Sequence, residues 1–187
     1  MDVIMGVKII LYVLGSAGLI YVSRNSLQLP LTHGLPRFIA WQAILTLFLL
    51  NIQSWFRKPF SVSQIISWVC LVISIVLIVY GVRMLRRIGK PDASRDEEAL
   101  LGIEKTTSLV TNGIYAYIRH PFYSSLLFLG LGIFFKDITW ISSIVMVVVL
   151  ICLVLTAAIE EGENIKFFGP AYRDYMKKTK RFIPLIY

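Results

Sequence analysis

Residues 121–160 read PFYSSLLFLGLGIFFKDITWISSIVMVVVLICLVLTAAIE, and the only charges before Glu160 are Lys136 and Asp137. A helix needs about 20 consecutive apolar residues to cross the hydrocarbon core of a bilayer. Lys136-Asp137 therefore divides this stretch into two crossings, 121–135 and 138–160, the first of them short. So tight a connection between two apolar runs predicts a helical hairpin that enters the membrane and returns.

Three more apolar segments precede it, at 3–22, 37–55 and 60–82, the first interrupted only by Lys8 near its end, where the side chain can snorkel. The first is too long for a signal peptide, carries its early charge inside the run, and is followed by further spans rather than a soluble domain. The expectation is an all-α, polytopic membrane protein with about five transmembrane helices. Composition agrees: of 187 residues, 57% are hydrophobic and 16% charged, and the mean hydropathy is +0.72. A soluble domain of this length needs more polar surface than that. Two units follow, residues 1–82 with the N-terminal helices and residues 83–187 with a long polar connection, the hairpin and a C-terminal segment.

The formal charge is +8. With five spans, one side holds Arg24, Arg37, the cations from Arg83 to Lys105, Arg119 and the basic C-terminal set ending in Arg181, while the other keeps Arg57, Lys58 and Lys136. The positive-inside rule then puts the N-terminus outside and the C-terminus in the cytoplasm. The net charge is thus a topological signal and leaves a nucleic-acid partner nothing to explain. Cys70 and Cys152 both lie inside apolar stretches and offer neither a disulfide framework nor a metal-ligand spacing, so no metal is expected.

Polar groups at the membrane edge carry the functional signal. Tyr115-Ala-Tyr-Ile-Arg-His-Pro-Phe-Tyr123 puts an arginine, a histidine and three tyrosines at the mouth of the fourth span. Interfacial tyrosines are common, but His120-Pro121 fixes an imidazole at a helix start, because proline suits the first helical position. Glu160-Glu161 ends the fifth span, where a carboxylate opposes the helix dipole. A cationic, hydroxyl-rich ligand such as an adenosyl cofactor offsets that penalty. Gly169-Pro170 then marks a turn into a short basic helix.

These pieces carry a resemblance. Leu109-Val-Thr-Asn-Gly-Ile-Tyr, Arg119-His-Pro-Phe-Tyr, Glu160-Glu161, Phe168-Gly-Pro-Ala-Tyr-Arg-Asp-Tyr and Thr179-Lys-Arg-Phe-Ile-Pro run in order through Gly102 to Pro184. The set resembles the integral-membrane methyltransferases related to isoprenylcysteine carboxyl methyltransferase and to the phospholipid N-methyltransferases. The resemblance implies S-adenosylmethionine as cofactor in a cytoplasm-facing pocket. It places Thr107, Ser108, Leu109 and Val110 along the cofactor with Tyr115 beside them, His120, Pro121, Phe122 and Tyr123 as a contact stretch, and Glu160 as the cofactor-binding carboxylate. Tyr172, Tyr175 and Arg181 match a segment that folds back as a cover.

Thr156 stands where carboxyl methyltransferases of this kind carry an arginine for the substrate carboxylate, so the substrate-binding position here lacks that planar fork. Gly162 and Asn164 are smaller departures. The implied reaction is methyl transfer to a lipophilic acceptor entering from the bilayer, either an isoprenylcysteine-type carboxylate, a phospholipid amine or a small thiol. For an amine acceptor, His120, Tyr123 or Glu161 is the candidate to remove a proton. Two other readings are a same-fold reductase using a nicotinamide cofactor and a non-enzymatic transporter or assembly protein, with membrane lipids as partners in each case.

Overall fold

The computed structural model describes residues 3–29, 32–89 and 106–184. Six α-helices follow in chain order: α1 (Val3–Leu27), α2 (Gly34–Asn51), α3 (Val62–Ile88), α4 (Pro121–Phe134), α5 (Trp140–Phe168) and α6 (Pro170–Lys178), with short 3-10 turns at Ile52–Ser54 and Gly113–Ala116. Among the described residues there is no strand, only an isolated bridge between Ile118 and Lys180. The chain is an all-α polytopic membrane protein. Within the long polar connection, Lys90 to Lys105 lie outside the described residues, including Asp92, Arg95, Asp96, Glu97, Glu98 and the Gly102-Ile-Glu-Lys start of the resemblance.

Four helices, α1, α2, α3 and α5, are long and apolar enough to cross a membrane. The expected fourth span, α4, has 14 residues, about 21 Å of helix against about 30 Å of hydrocarbon. It nevertheless forms the first arm of the hairpin. Lys136 just beyond its end is 4% exposed: its ammonium sits 3.5 Å from the Trp68 ring centroid and donates to Gln64 Oε1 at 3.0 Å. A cation sheltered by indole faces and an amide costs far less near the bilayer than a bare one. Burial lowers the lysine's pKa.

α1, α3 and α5 overrun the expected ends, whereas α2 stops at Asn51. α3 continues to Ile88 and α5 to Phe168, eight residues past Glu160. Glu160 and Glu161 therefore stand two turns inside α5, and the dipole argument drawn from their supposed terminal place fails, since that effect fades within the last turn. The turn at Gly169 is as expected: its φ is +62°, and Pro170 opens α6.

Packing follows small residues. α5 buries a stripe containing Val149, Cys152, Leu153, Thr156 and Ala157, and α2 contributes Ala40, Ala43, Ile44 and Leu47 to the same core. Alanines let backbones approach where lipid provides no hydrophobic drive between helices. α1 presents large apolar side chains such as Ile10, Leu14 and Tyr21 outward, and only Ser23 and Ser26 of it are buried.

α3 and α4 cross most tightly at Gly132, whose carbonyl accepts from Ser67 Oγ at 2.5 Å. A Cβ there would stand 2.7 Å from Leu71 Cγ and 3.2 Å from the Leu71 backbone nitrogen. Gly132→Val is expected to destabilise the protein by about 1–3 kcal/mol through overpacking, read as a lower Tm in detergent. Gly162→Ala, with open space around its position, leaves Tm unchanged or slightly raised.

Candidate functional site

The proline at 121 starts α4 with His120 as the residue before it. That junction fixes the imidazole at the inner end of the hairpin, against the last turns of α5. Eight of the residues the sequence singled out, Leu109, Val110, Tyr115, His120, Pro121, Phe122, Tyr123 and Glu160, line one cavity of about 70 Å³. Residues of α3 (Leu85), α5 (Asn164, Phe168) and α6 (Tyr172, Tyr175) close its remaining sides. Asn164 had registered in the sequence only as a departure from pattern, and Leu85 carried no signal at all.

Glu160 faces this cavity. The Tyr123 phenol donates to its Oε2, His120 Nδ1 lies 3.9 Å from its Oε1, and the His120 and Tyr123 rings stack at 5.4 Å. Tyr172 forms part of the wall, and burial together with the charges of Glu160 and Glu161 pushes its phenol far above the ordinary range. It stays a protonated donor at any physiological pH.

Glu161, one residue on, points elsewhere. Its Oε1 accepts from Arg119 Nε at 2.8 Å and lies 3.3 Å from His120 Nε2, while Oε2 accepts from Arg181 Nη2 at 2.6 Å. Arg119 also donates to the carbonyls of Thr179 and Met176. The C-terminal segment is laid onto residues 117–124 by Arg119 N to Lys180 O at 2.8 Å and Lys180 N to Tyr117 O at 3.0 Å. Ser124 Oγ to Phe182 O at 2.7 Å and Tyr175 OH to Tyr115 O at 2.7 Å complete the attachment. Glu161 is thus the knot that ties the cover down and turns the His120 ring, and it does not line the cavity.

Three other predicted positions lie apart. Thr107 and Ser108 sit at the loop's return to α3, their amides donating to Gly89 O at 3.2 and 3.3 Å. Thr156 is fully buried one turn deeper than Glu160, its hydroxyl donating to Cys152 O at 2.6 Å.

The structure adds a pair that the sequence did not flag. His33 carries no signal in the sequence and Arg37 only that of a cation at the start of a span; both are buried, at 0% and 2% exposure, where α2 begins against α5. His33 Nδ1 lies 2.5 Å from Glu163 Oε2, and Arg37 Nη1 lies 3.3 Å from His33 Nε2. Burial acts to lower the His33 pKa, but the bond to Glu163 and the charges of Glu160 and Glu163 outweigh burial and Arg37, and the result is raised.

A raised value means that the pair's stability is fully present below the unfolded histidine's pKa of about 6.5 and is lost as pH climbs through the folded one. The Tm in detergent is therefore expected to fall as pH rises above about 6.5, and the fall to flatten in His33→Gln. An equal slope in both proteins removes the pair as its cause.

A carboxylate, a stacked His–Tyr pair and an aromatic wall thus meet on the hairpin. A phospholipid methyltransferase family model matches residues 62–171, more than half the chain and the whole hairpin. The chain belongs to the phospholipid methyltransferase family. It is also 38% identical over 79 residues to the protein-S-isoprenylcysteine O-methyltransferase of Schizosaccharomyces pombe. That alignment takes in 42% of this chain and 34% of the yeast protein, so the chain matches about a third of that relative's length. The phospholipid methyltransferase match begins at the first residue of α3, so α1, α2 and the His33–Arg37 pair are outside it.

Proposed function

We propose that this membrane protein is an S-adenosylmethionine-dependent methyltransferase acting on a lipophilic acceptor. The observation that carries the reading is Glu160, held by Tyr123 and flanked by His120 on the wall of an aromatic-lined cavity. The chemistry of the wall suits such a cofactor: a carboxylate accepts from hydroxyl and ammonium groups, and the faces of Tyr115, Phe122, Tyr123 and Tyr172 favour a cation. The cavity as it stands, about 70 Å³, has room for a few waters, so entry requires the cover held by Arg181 and Tyr175 to move. When bound, the cofactor supplies an activated methyl group on a sulfonium.

The chain's own residues then do the following. Glu160 and Tyr123 hold and orient at the cavity wall. Arg119 and Arg181, through Glu161, keep the cover closed and exclude water. His120 Nε2–H is directed at Glu161, which leaves Nδ1, beside Glu160, as the atom to take a proton from an amine acceptor. Glu161, already engaged by two guanidinium groups, is a positioning residue; Leu109 and Val110 form the loop's wall of the cofactor cavity, and Thr107 and Ser108 anchor that loop to Gly89. An apolar groove of about 560 Å³ between α1, α2 and α4, lined among others by Gly15, Trp41, Leu45 and Leu126, opens toward lipid. Leu126 is one turn from Tyr123, so this groove suits the acceptor's hydrocarbon. The charge distribution supports an external N-terminus and a cytoplasmic site.

Purified protein is expected to bind S-adenosylmethionine saturably, with binding lost in His120→Ala. Membranes given methyl-labelled cofactor should then yield a labelled lipid or thiol that names the acceptor. Absence of binding, or a preference for a reduced nicotinamide cofactor, overturns the proposal.

A further inference from the structure

The far end of the bundle, about 30 Å from Glu160 by the 20 residues of α5 that separate them, holds a second polar cavity. It has a volume of about 200 Å³, and its walls include Arg57, Lys58, Ser61, Ser63 and Lys136. Three cations meet one carboxylate there, and that carboxylate, Asp137, is engaged by Ser54 Oγ at 3.0 Å. The Ser61 hydroxyl does not cap α3 and lies 3.3 Å from Ser63 Oγ. Lys58 adopts φ +47° directly before Pro59, a conformation that costs a residue with a side chain roughly 1–2 kcal/mol. Nothing in methyl transfer, which is placed at the other end, uses this excess of positive charge.

The surroundings say where the cavity sits. Phe56, Phe60, Val62 and Trp140 around it are 77%, 89%, 74% and 74% exposed, the collar of apolar and aromatic side chains that marks the boundary between headgroups and hydrocarbon. A second cavity of about 490 Å³ shares Arg57 and runs along Phe48, Ile52, Trp55 and Phe56. The buried indole N–H of Trp55, a residue of this second cavity's wall, has no acceptor among the described residues; an ester carbonyl just below a phosphate is a group of the kind it needs.

We propose that this end of the protein binds one anionic phospholipid of the leaflet opposite the candidate active site. Its phosphate sits among Arg57, Lys58, Ser61 and Ser63 in the field of Lys136, and its acyl chain lies along Phe48, Ile52 and Phe56. The site tethers the loop between α2 and α3 to the hairpin at Lys136 and makes the protein responsive to the charge of that leaflet. Its phosphate subsite is separate from the methyl-transfer cavity, while Phe48 and Trp55 also line the groove proposed for the acceptor's hydrocarbon.

The test is native mass spectrometry and thermal unfolding of the detergent-purified protein with phosphatidylglycerol, phosphatidylcholine or soluble glycerol 3-phosphate. One phosphatidylglycerol should be retained in preference to phosphatidylcholine and should raise Tm, with no shift from glycerol phosphate. In Arg57→Gln and Lys58→Gln the preference should fall roughly fivefold for each cation removed. Both side chains are exposed, so these variants keep the wild-type Tm in phosphatidylcholine. Equal retention of the two lipids, or a preference undiminished in the double variant, overturns the proposal; a full shift from glycerol phosphate alone replaces the lipid by a free anion and overturns it equally.

Discussion

Glu161→Gln is expected to cost the protein about 3–5 kcal/mol, because it strips away the carboxylate that two guanidinium groups share. The Glu161 side chain is 4% exposed, Arg119 9% and Arg181 20%, so water cannot replace the lost carboxylate at Arg119. Glutamine keeps one acceptor oxygen and adds an NH2 aimed at cations. The expected result is a large drop in Tm in detergent, together with proteolytic cleavage at Arg181 in protein that is otherwise folded, since the cover loses its principal tie. Removing one cation as well, in Glu161→Gln/Arg181→Met, should recover part of the loss, because one guanidinium instead of two then faces the neutral glutamine. A Glu161→Gln protein as stable and as protease-resistant as wild type would refute the role of knot.

Glu160→Gln, a change at the adjacent residue, is expected to have the opposite profile. Its oxygen can still accept from the Tyr123 phenol, and its side chain is 15% exposed toward the cavity, so Tm should move little. Affinity for S-adenosylmethionine should fall about tenfold to a hundredfold, the worth of hydrogen bonds to a charged group, with turnover falling in parallel. Calorimetric titration of both variants separates the two: Glu160→Gln folded but weak in binding, Glu161→Gln unstable. Wild-type affinity in Glu160→Gln would remove the carboxylate from the cofactor assignment.

The contrast between two neighbouring glutamates shows where sequence reading stops. Glu160-Glu161 stood out because two carboxylates beside an apolar run are costly, a local property that any window reveals. Consecutive residues on a helix project about 100° apart, however, so which of the pair faces the cavity and which meets arginines depended on what α5 packs against. The same holds for Arg37. In one dimension it is a cation at the edge of a span, and burial in the α2–α5 seam beside His33 follows only from the approach that Ala40 and Ala43 permit. Lys136 likewise marked the hairpin's turn in the sequence, but not the box of Trp68, Trp55 and Gln64 that shelters it.

What the sequence determined by itself is the membrane class, the helical hairpin, and the His120-Pro121 junction with its tyrosines. Each of these rests on short-range physics: lengths of apolar chain that water will not solvate, and a proline that starts a helix. The tertiary structure alone decided the division of labour between Glu160 and Glu161, the recruitment of His33 and Arg37 from outside the family match, and the cation-lined cavity at the far end. Those features join residues up to 130 positions apart, and a charge acquires its partner only when the helices bearing both are packed.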